Sequence, residues 1–216
     1  MTGEILTSDR QKRDKRKSRT TIGFGALLIV LLFSSATHAD SWKFSKIRHS
    51  SSAFLLGFAT GYMAHELGHV LVAKGKGYCV ELDGLSLVYP DLPEKTPDQL
   101  QIATAGFQAQ WIVSEAALRY RENRRLSDRE NNFSAGLVVF HLAATAAYMT
   151  VLKNHEKGDT VGAAQATGLS TDQVALLALI PALLDGWRLF TADPPDWVPA
   201  LSAGVKGVGI FAIWQY

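Results

Sequence analysis

The sequence predicts an all-α polytopic membrane protein, with about five or six membrane-embedded helices and one short β-hairpin. Three observations lead there. Apolar runs of spanning or near-spanning length recur along the 216 residues. Charged residues make up only 19% of the chain and gather between those runs. A single stretch, residues 78–89, alternates as strands do, around the turn pair Asp83-Gly84.

Taken in order, the chain opens on a basic segment, residues 1–20. There Arg10, Lys12, Arg13, Lys15, Arg16, Lys17 and Arg19 face Asp14 alone. With no aromatic residues interleaved and an apolar run following at once, this reads as a cytoplasmic topogenic tail rather than a nucleic-acid arm. The net charge of +2 gives no further ground for a nucleic-acid partner. Residues 21–39 form a short apolar run ending in small residues, the pattern of a signal peptide or a signal anchor. The long basic flank tips the reading toward the anchor. Cys79 is the only cysteine, so an internal disulfide and a cysteine zinc cluster are both excluded, and packing is its expected role.

A polar linker, 40–51, leads into the membrane domain, 52–216. Residues 52–73 are the first strong helix, with Gly57, Gly61, Ala64 and Gly68 as a small-residue stripe for close helix contact. Lys74-Gly75-Lys76-Gly77 ends it, and the hairpin follows. Residues 102–120 are helical but mixed, with Gln108, Gln110, Ser114 and Glu115 among apolar neighbours. Residues 121–132 are strongly charged and belong in water. Residues 133–152 are a spanning candidate, 153–170 a polar connection, and 171–189 and 197–216 two further apolar helices separated by Asp193-Pro194-Pro195-Asp196. A full crossing by 102–120 places the following arginines against the positive-inside tendency, so a partial or re-entrant segment there is one resolution.

The chemistry lies in His65-Glu66-Leu67-Gly68-His69, inside the first strong helix. Histidines four apart lie one turn above each other, so both imidazoles reach one metal ion. A glutamate beside the first can take a proton from the water that the metal activates. This is the H-E-x-x-H arrangement of zinc hydrolases. Ionisable groups at membrane depth are costly and mark function by default.

A zinc hydrolase needs a third ligand. Asp185 is the leading candidate, a carboxylate near the end of an apolar helix, with helix capping or pairing to Arg188 as its plain alternative. Glu115 is the rival, 46 residues beyond His69, resembling the glutamate ligand of thermolysin-type proteases; an ordinary pair with Arg119 is its alternative. His141 reads as an interior histidine and Asp83 as a turn residue.

These residues resemble the site-2 protease family of intramembrane zinc metalloproteases. The resemblance runs over about residues 52–190 and rests on three features. They are the histidine motif within a spanning helix, Ala105-Gly106-Phe107 (similar to the family's Ala-Gly-Pro), and Leu184-Asp185-Gly186-Trp187-Arg188 (similar to its Leu-Asp-Gly-Gly-Arg). Phe107 stands where the family has proline, and 133–152 is an extra helix. The resemblance implies zinc held by His65, His69 and Asp185, Glu66 as general base, and a membrane-protein substrate cleaved in or near its transmembrane segment. It also implies a setting in the lipid bilayer, and the short compact form of the chain suggests a bacterial inner (cytoplasmic) membrane. The hairpin edge offers a place for an extended substrate to add as a strand. His141 and Arg188 are the candidates for stabilising the oxyanion. The competing expectations are a catalytically silent membrane scaffold of the same fold, and a zinc protease completed by Glu115.

Overall fold

The computed structural model describes residues 41–84, 86–124 and 126–216; the expectations for residues 1–40, the basic tail and the signal segment, lie outside them. A 3-10 turn, Phe44–His49, precedes the first long helix, α1, Ser51–Gly75. Strands β1, Glu81–Asp83, and β2, Ser86–Val88, form an antiparallel pair. Then come α2, Pro97–Ala103; α3, Ala105–Glu122; α4, Asp128–Met149; α5, Asp159–Thr167; α6, Thr171–Phe190; and α7, Trp197–Gln215. The molecule is mostly helical, and α4, α6 and α7 are long and apolar enough to cross a membrane. On α6, Leu176, Leu177, Ile180 and Leu183 are exposed, as are Val208 and Phe211 on α7, apolar faces suited to lipid.

Local chemistry sets the boundaries. Ser127 and Glu130 form a capping box, so α4 starts at Asp128, inside the charged stretch expected to stay in water. Ser170 and Gln173 do the same for α6. Thr96 caps α2 and Pro97 takes its first position, where a missing N–H costs nothing. The hairpin turn sits one residue later than the sequence indicates: Asp83 pairs with Ser86, and Gly84 adopts φ +67°. Residues 102–120 are two helices that meet at Thr104, and the expected polar connection 153–170 contains α5. Cys79 is exposed, contrary to its expected packing role.

The small-residue stripe of α1 acts as the sequence indicates. A Cβ at Gly57 would meet the Phe133 carbonyl of α4, and one at Gly136 would meet the Phe54 carbonyl of α1, so the two backbones cross in direct contact. Gly61 takes the Phe140 ring, and Gly68 faces the Ala105 carbonyl of α3. One end of this crossing is closed by Trp42 from the nominally polar linker. Trp42 is 1% exposed and stacks on Phe54 at 5.5 Å. Its indole N–H donates to Asn132 Oδ1 at 2.9 Å, and its backbone N–H donates to the Leu189 carbonyl at 2.9 Å.

Helix α3 packs against α1, α4, α6 and α7. Most of its polar residues are therefore shielded by protein, and an apolar composition is not required of it. Its Glu115 and Glu122 accept from Arg188 of α6, at 2.6 Å to Arg188 Nη1 and 2.8 Å to Arg188 Nε respectively. Lys206 of α7 donates to Glu115 at 2.9 Å and to Asp185 at 2.7 Å. This buried network of paired charges joins α3, α6 and α7.

Candidate metal centre

His65 and His69 lie on the buried face of α1, and the helix repeat sets their rings one turn apart with centroids at 4.9 Å. Their Nε2 atoms are 3.3 Å from each other. The carboxylate of Asp159 spans both, with Oδ2 3.0 Å from His65 Nε2 and Oδ1 3.2 Å from His69 Nε2. Among the described residues these three form a group whose donor atoms are close enough to share one ion. Ligands about 2.0–2.1 Å from a tetrahedral zinc stand ~3.3 Å apart, which matches the separation of the two imidazole nitrogens, while each imidazole faces its own oxygen of Asp159.

Each side chain is placed by a neighbour. His69 Nδ1 is 2.7 Å from the Ile102 carbonyl at the end of α2, so Nδ1–H donates there and Nε2 keeps its lone pair. The Gln110 amide of α3 lies 2.6 Å from His65 Nδ1. Tyr148 Oη donates to Asp159 Oδ2 at 2.8 Å, and its ring stacks on His65 at 6.2 Å. Asp159 is the first residue of α5, where the exposed backbone N–H groups favour an anion. Helix α5 is tied to α2 by Gln99 Nε2 donating to Gln165 Oε1 at 3.0 Å. Burial pushes the Asp159 carboxyl up, and the two imidazoles that face it, His69 foremost, outweigh burial and lower it.

Gly106 lets α3 come this close. A Cβ there would fall on His65 Cε1 and His69 Nε2. The Ala105-Gly106 pair thus has a steric task beside the histidines, whatever follows it in sequence.

The three side chains open onto a cleft of about 440 Å³ lined also by Glu66, Tyr62, the strand Ser86–Val88, Tyr89 and Tyr148. Glu66 is half-buried and stands beside the two histidines on its wall. Lys157, two residues before Asp159, pairs with Asp83 of the hairpin, so the hairpin and the Asp159 loop are joined across one end of the cleft.

The structure thus brings together His65, Glu66 and His69, and supplies Asp159 as the carboxylate at the histidines. Asp185 is elsewhere. It is fully buried and accepts from Ser114 at 2.7 Å, Ser202 at 2.7 Å and Lys206 at 2.7 Å, and its histidine neighbour is His141, with Nε2 at 3.7 Å. Three donors hold it on the α7 side of α3, away from the cleft. Glu115, the rival, is taken by Arg119 at 2.8 Å as well as by Arg188 and Lys206. Neither His141 nor Arg188 lines the cleft, so neither reaches an oxyanion there; Tyr148 and His155 do line it. Asp159 escaped the sequence reading because a carboxylate in a polar stretch looks solvated. The available signal was the short run of small residues after it, Gly162, Ala163 and Ala166, closed by Gly168 in the left-handed conformation.

No family model, curated protein or solved structure matches this chain.

Proposed function

We propose that the protein is a membrane-embedded zinc metalloprotease that hydrolyses peptide bonds in or near transmembrane segments of membrane proteins. The observation that carries this reading is the juxtaposition of His65, His69 and Asp159, with donor atoms close enough to share one ion, and Glu66 lining the same cleft. A purely structural ion has no need of a base beside it. Zinc held there would acidify a water molecule and polarise a scissile carbonyl.

The chain's own residues do the rest. Glu66 accepts the proton of the attacking water and returns it to the leaving amine. Strand β2 forms part of the cleft wall, and its edge offers backbone groups to an extended substrate segment, which must leave its helical form to expose the bond. Tyr148 holds Asp159 and adds an O–H close to the reacting centre. The apolar outer faces of α6 and α7 admit the site to the bilayer, and helices α1 and α3 complete, in this reading, a set of about five embedded helices.

The test is zinc per chain in detergent-purified protein, for wild type, Asp159→Ala and Asp185→Ala prepared together. The expected result is about one zinc in wild type, a large loss in Asp159→Ala, and a much smaller loss in Asp185→Ala. Glu66→Gln is expected to keep zinc while cleavage of transmembrane test peptides falls by at least about 100-fold. Folded wild type without zinc refutes the reading. Zinc retained in Asp159→Ala and lost in Asp185→Ala returns the third ligand to α6.

A further inference from the structure

Behind the candidate metal centre, away from the cleft, three buried side chains form a line: Gln110 of α3, His141 of α4 and Asp185 of α6. They are 2%, 1% and 0% exposed, so water does not compete for their contacts. One end of the Gln110 amide is 2.6 Å from His65 Nδ1, and the other is 3.1 Å from His141 Nδ1. His141 Nε2 has no hydrogen-bond partner and stands 3.7 Å from Asp185 Oδ2.

Two hydrogen-bond orders are open to neutral imidazoles along this line. In the first, His65 carries its proton on Nε2, the amide N–H donates to His65 Nδ1, and the amide oxygen accepts from His141 Nδ1–H. A bare lone pair on His141 Nε2 then faces the Asp185 carboxylate, which is repulsive. In the second, every donor is reversed. His65 carries its proton on Nδ1 and donates to the amide oxygen, the amide N–H donates to His141 Nδ1, and His141 Nε2–H points at Asp185. A half-turn of the amide interconverts the two without moving a heavy-atom position. Only the second order frees His65 Nε2 to bind an ion, and only it turns the His141–Asp185 contact from repulsive to attractive. Asp185 cannot swing away, since Ser114, Ser202 and Lys206 hold both its oxygens.

We propose that Gln110, His141 and Asp185 are positioning residues that fix the His65 tautomer and ring orientation for metal binding. The inference rests on the metal-centre reading above. It gives Asp185 a part in the site through two intermediaries rather than as a ligand. It also accounts for a glutamine and a histidine buried among apolar neighbours on separate helices.

The experiment is zinc affinity by chelator competition, together with the visible spectrum of the cobalt-substituted protein, on the full chain in detergent. Gln110→Leu is expected to bind zinc about 10–100-fold more weakly, with an altered cobalt spectrum, since no acceptor then faces His65 Nδ1–H. Gln110→Glu, whose carboxylate can only accept, is expected to restore affinity to within a few-fold of wild type. A merely structural role for Gln110 predicts no such rescue by a buried charge. His141→Phe is expected to weaken zinc in the same direction by a smaller factor. If Gln110→Leu does not fold, His141→Phe decides: weaker zinc supports the relay, and unchanged affinity overturns it. Unchanged affinity in Gln110→Leu or His141→Phe, beside a wild type holding one zinc, also overturns it. A wild type without zinc refutes the metal centre itself, which is a distinct result.

Discussion

Gly106→Ala tests the geometry of the centre with a single methyl group. The Cβ would lie far inside van der Waals contact of His65 Cε1 and His69 Nε2, both on rings already held by Gln110 and the Ile102 carbonyl. Either α3 backs away from α1 or the imidazoles rotate off their present positions. Overpacking of this kind costs about 1–3 kcal/mol. If that strain is relieved only when the rings leave the metal-binding arrangement, binding must supply it, and zinc affinity falls by roughly 5–150-fold at 1.4 kcal/mol per decade. Gly204→Ala on α7 is the control. A Cβ there meets nothing within 4 Å, and the change adds helix propensity without touching the site. The assay is competition with a chromogenic chelator on both variants, with melting temperature recorded beside it. Zinc affinity in Gly106→Ala within twofold of wild type, in a folded protein, refutes the packing argument.

Zinc at about 100 times its dissociation constant should stabilise the native state by ~2.7 kcal/mol. For a chain of this size that is a rise in melting temperature of roughly 5–11 °C, absent in Asp159→Ala; equal rises in both proteins would show that the ion binds elsewhere. Arg188→Met leaves Glu115 and Glu122 without their shared guanidinium, and breaking a buried pair costs about 3–5 kcal/mol. The melting temperature should fall by roughly 6–20 °C, and a fall under about 2 °C would show that Lys206 and the other neighbours suffice. Asn132→Ala removes the acceptor of the Trp42 indole and the donor to the Lys46 carbonyl. It should cost about 1–3 kcal/mol and shift the tryptophan emission to the red, and an unshifted spectrum with unchanged melting would remove the linker from the core.

Much of the framework was legible because its signals are local. The apolar runs at 52–73, 171–189 and 197–216 match α1, α6 and α7, and the glycine stripe of α1 meets the partners that such a stripe is for. The two histidines fall together because i and i+4 on a helix do so wherever the helix goes. What failed was whatever depends on long-range packing. Asp185 looked like a ligand because a carboxylate in an apolar helix needs a partner, and that premise holds. The partners are Ser114, Ser202 and Lys206, and Lys206 lies on a helix that sequence alone does not bring alongside. Conversely, Asp159 looked solvated, and it becomes a member of the centre only because α5 docks on α2 beside Ile102.

The central position of α3 explains why this chain tolerates so much polarity inside. One face carries Gly106 and Gln110 to the histidines and Ser114 to Asp185, and another carries Glu115 and Glu122 to the charges of α6 and α7. Packed against the neighbouring helices, α3 buries most of its polar residues in protein, so its mixed composition needs no lipid-facing explanation. Ser114 and Gln110 also place the two polar groups in contact, since Asp185 accepts from Ser114 while facing His141, which faces Gln110. The charge network that joins α6 and α7 to α3 therefore shares Asp185 with the line proposed above to orient His65. A substitution among Arg188, Lys206 and Ser202 should then alter zinc affinity as well as stability, whereas one at the Trp42–Asn132 plug, which shares no partner with Asp185, should alter stability alone.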